Sequence, residues 1–114
     1  MSWTQKQNDM KTALRALNKA NPEVTKGFAK LGTAAKSDGV LDLKTKELIA
    51  VAISVTDRCE PCIGFHIAAL IKAGGNRSEL AEALGMTIQM GGGPSLMYAA
   101  KALECYDEFT ARDA

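Results

Sequence analysis

The run Leu43-Lys44-Thr45-Lys46-Glu47-Leu48-Ile49-Ala50-Val51-Ala52-Ile53-Ser54-Val55-Thr56, with the segment Cys59 to Ala73 that follows Asp57-Arg58, decides the fold class. Neither stretch alternates with period two. In the first, Leu48, Ile49, Val51, Ala52, Ile53 and Val55 leave little polar surface, which marks the most buried helix of the chain. The second carries Ile63, Ile67, Leu70 and Ile71 at helical spacing and is stopped by Gly74-Gly75.

Upstream, a segment from about Thr4 to Lys19 puts Met10, Ala13, Leu14 and Leu17 on one stripe. Asn21 can cap a second helix with Pro22 at its first position, and Val24, Phe28, Leu31 and Ala35 give that helix an apolar face. Downstream, Ser78 can cap a fifth helix that has Glu79 and Glu82 in its first turn and runs to Met90. Gly91-Gly92-Gly93-Pro94 ends it, as a tight junction between helices or a close backbone contact between subunits. The last helix, Pro94 to about Arg112, aligns Tyr98, Ala99, Ala102, Cys105, Tyr106 and Phe109. Alanine (18) and leucine (11) outnumber valine and isoleucine together (10), which favours helix over strand. The expectation is an all-α fold of about six helices in a single domain, residues 1–114, with no repeat or linker.

The balance of the 114 residues, 46% hydrophobic and 24% charged, suits a soluble globular chain. A formal net charge of +1 without a basic block lacks the footprint of a phosphate-backbone binder, so no nucleic-acid partner is expected. No apolar run is long enough to cross a bilayer and the N-terminal stretch has no signal-like core, so the reading is cytoplasmic with no membrane partner. Only 5% of residues are aromatic, a small supply of large core groups, and a chain this short gains from assembling with copies of itself.

Chemistry concentrates in Cys59-Glu60-Pro61-Cys62-Ile63-Gly64-Phe65-His66. At 100° per residue, positions 59, 62 and 66 fall within about 60° on a helical wheel, so two thiols and the only imidazole share one face. A thiol at a helix start gains from the free N–H groups and dipole there, which lower its pKa and expose the thiolate nucleophile. His66, one turn beyond Cys62, can exchange a proton near neutral pH. Glu47 shares a side of its apolar helix with Val51 and Ser54, where a carboxylate must be paired, hydrogen-bonded or protonated. Antiparallel packing of the third and fourth helices would bring Glu47 to the Cys62–His66 turn. Lys44 and Lys46 are its nearest basic neighbours in sequence.

The pattern Glu47-x11-Cys59-x2-Cys62-x3-His66, with the Gly91 to Pro94 stretch, resembles alkyl hydroperoxidase D and the wider carboxymuconolactone decarboxylase-like families from about Leu41 to Tyr106. The resemblance implies an alkyl hydroperoxidase D-like helical bundle assembled as trimers or hexamers, with a redox-active disulfide and no cofactor. It implies a thiol peroxidase in which Cys62 is oxidised by a hydroperoxide and Cys59 donates a proton and then resolves the sulfenic acid. His66 and Glu47 form the relay that deprotonates Cys62, and an external dithiol regenerates the pair. Where well-studied members carry a histidine just before the second cysteine, this chain has Pro61, so that histidine's role does not carry over. The length matches single-repeat relatives.

Other readings stay open on the residues alone. The cysteines can be small buried hydrophobes, as Cys105 is expected to be on the stripe with Ala102 and Phe109. Cys59, Cys62, His66 and Glu47 can be zinc ligands in a non-enzymatic scaffold. Glu47 and His66 can serve as acid and base of a decarboxylase or isomerase acting on a small lactone. Glu60 reads as a favourable first-turn charge. Met86, Met90 and Met97 read as core or as the lining of an apolar pocket.

Overall fold

The structure is a computed structural model that describes residues 2–113. Met1 and Ala114, the two ends of the expected domain, lie outside the described residues. Six α-helices follow one another: α1 (Trp3–Ala20), α2 (Pro22–Lys36), α3 (Leu43–Thr56), α4 (Glu60–Lys72), α5 (Arg77–Gly91) and α6 (Gly93–Arg112). No strand occurs among the described residues. The all-α expectation holds, and α3 has the expected ends.

Local chemistry sets the helix boundaries. Asp42 accepts from the Thr45 N–H at 2.8 Å to start α3. The α3 helix ends in a Schellman arrangement, with the Arg58 N–H on the Val55 carbonyl and the Cys59 N–H on that of Ser54. Arg58 takes the left-handed conformation there, φ 56°. The α4 helix ends the same way, with Gly74 (φ 88°) in that role and Gly75 bonded back to the Leu70 carbonyl. The expected cap of α5 moves from Ser78 to Asn76. Asn76 accepts from the Glu79 N–H while the Glu79 carboxylate accepts from the Asn76 N–H, so two open donors are satisfied at once. Between α5 and α6, Gly92 has φ 73° and a Cβ on Gly91 would sit 1.8 Å from Ser95 Oγ. The glycine run is therefore a tight junction within the chain.

The core lies among α3, α4, α5 and α6. Val51, Val55, Ile63, Ile67, Leu70, Leu80, Ala102, Cys105 and Phe109 are almost fully buried there. Tyr106 is buried with them and donates its hydroxyl to the Gly75 carbonyl at 3.1 Å, tying α6 to the α4–α5 turn. Two expectations about burial are corrected. Ile49 and Ile53 of α3 are about half exposed, Ile53 at an open cleft against Met86 and Met90 of α5. Met86, Met90 and Met97 are exposed, so they are not core.

The α1 helix is anchored differently from its apolar stripe. Its buried residues are Trp3 and Gln7, whereas Leu14 and Leu17 are exposed. The Trp3 indole N–H donates to Glu104 at 2.7 Å, and Glu108 accepts from the Trp3 and Thr4 backbone N–H groups and the Thr4 hydroxyl. The start of α1 thus docks on α6 and, through Lys6, on Glu60 of α4, and its later turns run out toward α2. No residue of α2 is buried, and its Phe28 is 76% exposed. This projecting hairpin expands the molecule slightly. Its radius of gyration is 14.4 Å, against about 13.3 Å for a compact chain of this length.

Candidate active site

The packing of α3 on α4 joins Glu47 to His66. Glu47 is 1% exposed, and its Oε2 lies 3.3 Å from His66 Nδ1. A carboxylate only accepts, so Nδ1 carries the hydrogen of this bond and Nε2 is left as the basic nitrogen. The other carboxylate oxygen, Oε1, lies 3.2 Å from Lys36 Nζ, which arrives from the end of α2. Neither Lys44 nor Lys46 pairs with Glu47. Lys44 bridges to Glu79, and Lys46 donates to the Ala35 and Ser37 carbonyls that close α2. Two lysines therefore cross between α2 and α3, one onto a buried carboxylate and one onto the last carbonyls of the neighbouring helix.

Cys59 and Cys62 are joined as a disulfide, S–S 2.02 Å. The Schellman turn makes Cys59 both the closing residue of α3 and the N-cap of α4, where its Sγ accepts from the Cys62 N–H at 3.2 Å. Cys62 lies inside the first turn of α4, among open N–H groups and at the positive end of the dipole. His66 follows one turn later on the same helix. Among the described residues no hydrogen bond joins the imidazole to either sulfur, so the two pairs are related through α4 rather than by direct contact. Nor do three or more His, Cys, Asp or Glu side chains converge to hold a metal ion among the described residues.

Glu60, between the cysteines, is more than a first-turn charge. Lys101 of α6 donates to its Oε1, and Lys6 of α1 lies 3.4 Å from its Oε2. The Lys101 hydrogen bond holds the Glu60 carboxyl below its ordinary range. The anion beside the sulfurs is thereby matched by two cations. Cys105 is a buried free thiol, and burial pushes it up to about 12, which fits its expected packing role.

Two clefts flank these groups. One of about 370 Å³ is walled by Phe28, Leu31, Gly32 and Ala35 of α2 with Ala50 of α3, and Lys36, Lys46, Glu47 and His66 bring its polar groups. The other, about 400 Å³, lies between α1 and the start of α4, against Trp3, Lys6, Met10, Glu60, Pro61 and Gly64. The cysteines line neither. Lys36, Lys6 and Lys101 are the residues that sequence reasoning missed. A lysine closing a helix reads as a partner of its own dipole, and nothing in the spacing connects Lys36 to Glu47 across the α2–α3 loop.

Comparison with known proteins agrees with this architecture. Residues 22–104 match the carboxymuconolactone decarboxylase family. The fold superposes on the crystal structure of a carboxymuconolactone decarboxylase family protein from Legionella pneumophila with a TM-score of 0.91 and 51% identity, covering 94% of this chain and 96% of that one. A Thermotoga maritima structure aligns with a TM-score of 0.72 at 31% identity, over 78% of this chain and 92% of that one. That protein is described as a carboxymuconolactone decarboxylase family member with a suggested part in an antioxidative response. An uncharacterised protein of Cupriavidus necator is 40% identical over 110 residues, 90% of this chain and 97% of its own length. The chain belongs to the carboxymuconolactone decarboxylase family, with an alkyl hydroperoxidase D-like bundle.

Proposed function

We propose that the protein is a thiol peroxidase that reduces hydroperoxides through Cys59 and Cys62. The observation that carries this reading is the Cys-x-x-Cys pair at the N-terminus of α4, followed one turn later by an imidazole held on a buried carboxylate. The antioxidative description of the Thermotoga relative supports it.

In the reduced protein, Cys62 loses its proton to the His66 side of the Glu47–His66 pair. The thiolate attacks the distal oxygen of a hydroperoxide, the O–O bond breaks, and the alkoxide leaves as an alcohol after taking a proton. The Cys62 sulfenic acid then condenses with the Cys59 thiol, forming the disulfide and releasing water. An external dithiol restores both thiols through exchange and is itself oxidised. The peroxide step uses only side chains of this chain. Copies of the chain assemble through the apolar faces left uncovered on α2, α3 and α5, consistent with the trimers or hexamers that the resemblance implies, and the enzyme works in a reducing, cytoplasmic setting.

The test is peroxide consumption with a dithiol donor. Cys62→Ser is expected to abolish turnover, and Cys59→Ser to leave a sulfenic acid that a dimedone-type reagent traps. Full activity in Cys62→Ser would contradict the reading. Turnover of a small lactone that survives loss of both cysteines would instead favour acid–base chemistry by Glu47 and His66.

A further inference from the structure

We infer that Lys36 is a positioning residue of the thiol chemistry: its ammonium holds Glu47 as a charged acceptor, which keeps the hydrogen of His66 on Nδ1 and leaves Nε2 as the base for Cys62. The inference rests on the peroxidase reading and adds a residue from outside the Cys-x-x-Cys segment.

Glu47 is 1% exposed, so neither oxygen can rely on water. A buried carboxylate in that position needs a partner on each side, and an uncompensated one takes up a proton. Its two partners come from different helices: Lys36 Nζ at 3.2 Å on Oε1 and His66 Nδ1 at 3.3 Å on Oε2. Among the described residues, the only other titratable group lining the cleft is Lys46, whose ammonium is engaged by the Ala35 and Ser37 carbonyls. From the remaining neighbours of α3, Glu79 of α5 is occupied by Lys44. Lys36 is therefore the cation that balances Glu47. Without it, the buried carboxylate takes the Nδ1 hydrogen while Nε2 gains a proton from water, so Glu47 becomes the hydrogen-bond donor and Nδ1 the acceptor. The imidazole then presents N–H rather than a lone pair at Nε2, and Cys62 loses its base. Lys36 is also the most exposed member of the site. Its side chain is 45% exposed and it ends a helix with no buried residue, so displacing α2 withdraws the cation while leaving the Cys59–Cys62 turn on the bundle.

The experiment measures the rate of Cys62 alkylation by iodoacetamide from pH 6 to 10 in a Cys59→Ser background, where Cys62 is the only reactive motif thiol and Cys105 is buried and silent. Lys36→Met is expected to slow alkylation about tenfold near pH 7, with rates converging toward the parent's above about pH 9, where the thiol ionises unaided. Lys36→Arg restores the rate, because a guanidinium also balances the carboxylate. Lys36→Gln is made alongside as a second neutral variant, and thermal melts confirm that each protein is folded. A Lys36→Met or Lys36→Gln rate equal to the parent's at pH 7 overturns the inference, as does a deficit that persists unchanged to pH 10, which marks a general structural lesion. His66→Ala separates the two levels. If it slows alkylation while the neutral Lys36 variants do not, the Lys36 assignment fails and the peroxidase reading stands; if His66→Ala has no effect, both fall.

Discussion

At the scale of single residues, the site is a matter of charge balance. Glu60 sits between the cysteines and is matched by Lys101 and Lys6. Glu60→Gln leaves those two cations beside the N-terminus of α4 without their anion, so the Cys62 thiolate becomes easier to form. Alkylation of reduced protein near pH 7 is expected to speed up by about two- to fivefold, with Lys101→Met moving the rate the other way. Equal rates in both variants would mean that water screens the cluster completely. Tyr106→Phe removes a buried hydroxyl bond to Gly75 and leaves that carbonyl short of a donor. A stability loss of about 1–2 kcal/mol is expected by denaturant unfolding. The four candidate residues stood out in sequence, Cys59, Cys62 and His66 by their spacing and Glu47 as a carboxylate on an apolar helix, and the structure joins them as two pairs. Lys36 did not stand out, because its meeting with Glu47 depends on how a loop returns α2 to α3, and the apolar pattern does not encode that return.

At the scale of helices, boundaries followed local chemistry wherever a cap competed with a better one. Ser78 is a good cap in isolation, yet Asn76 with Glu79 satisfies two donors and takes the position. The docking of α1 was hidden for a related reason. It is governed by Trp3 and by a carboxylate on α6 rather than by the Leu14–Leu17 stripe. Burial alone would raise the Glu108 carboxyl, but hydrogen bonds from Thr4 and Trp3 and the charge of Arg112 outweigh it and hold the group below its ordinary value. Glu60, which links α1 and α6 to α4, is lowered as well. A carboxylate whose folded pKa is depressed contributes stability above its unfolded pKa and loses it as pH falls through the folded one. Both groups therefore favour the docked α1 above the ordinary glutamate value of 4.5. The docking should weaken progressively below it. Trp3 fluorescence titrated from pH 7 to 3 is expected to report exposure of the indole before the bundle's helical signal is lost. Loss of both signals together would show that α1 does not detach as a unit.

At the scale of the molecule, the small aromatic content has a visible counterpart. The chain builds one core from α3 to α6 with Trp3 of α1 added, and leaves Val24, Phe28, Leu31, Ile49, Ile53, Met86 and Met90 exposed. Their helical periodicity was legible; which faces the chain would cover itself was not, since an apolar stripe looks the same whether its partner is in the same chain or in another. Substituting Glu at Phe28 or Ile53 is expected to lower the oligomer mass by light scattering with little change in the far-ultraviolet helix signal. An unchanged mass would remove these faces from the assembly. The central claim, that Cys59 and Cys62 are a working redox pair, is tested most directly by intact mass with thiol counting, before and after one equivalent of hydroperoxide is added to fully reduced protein. The account predicts the loss of two hydrogens and two thiols, with Cys105 still titrating as the one remaining thiol after denaturation. Three free thiols and an unchanged mass would contradict it.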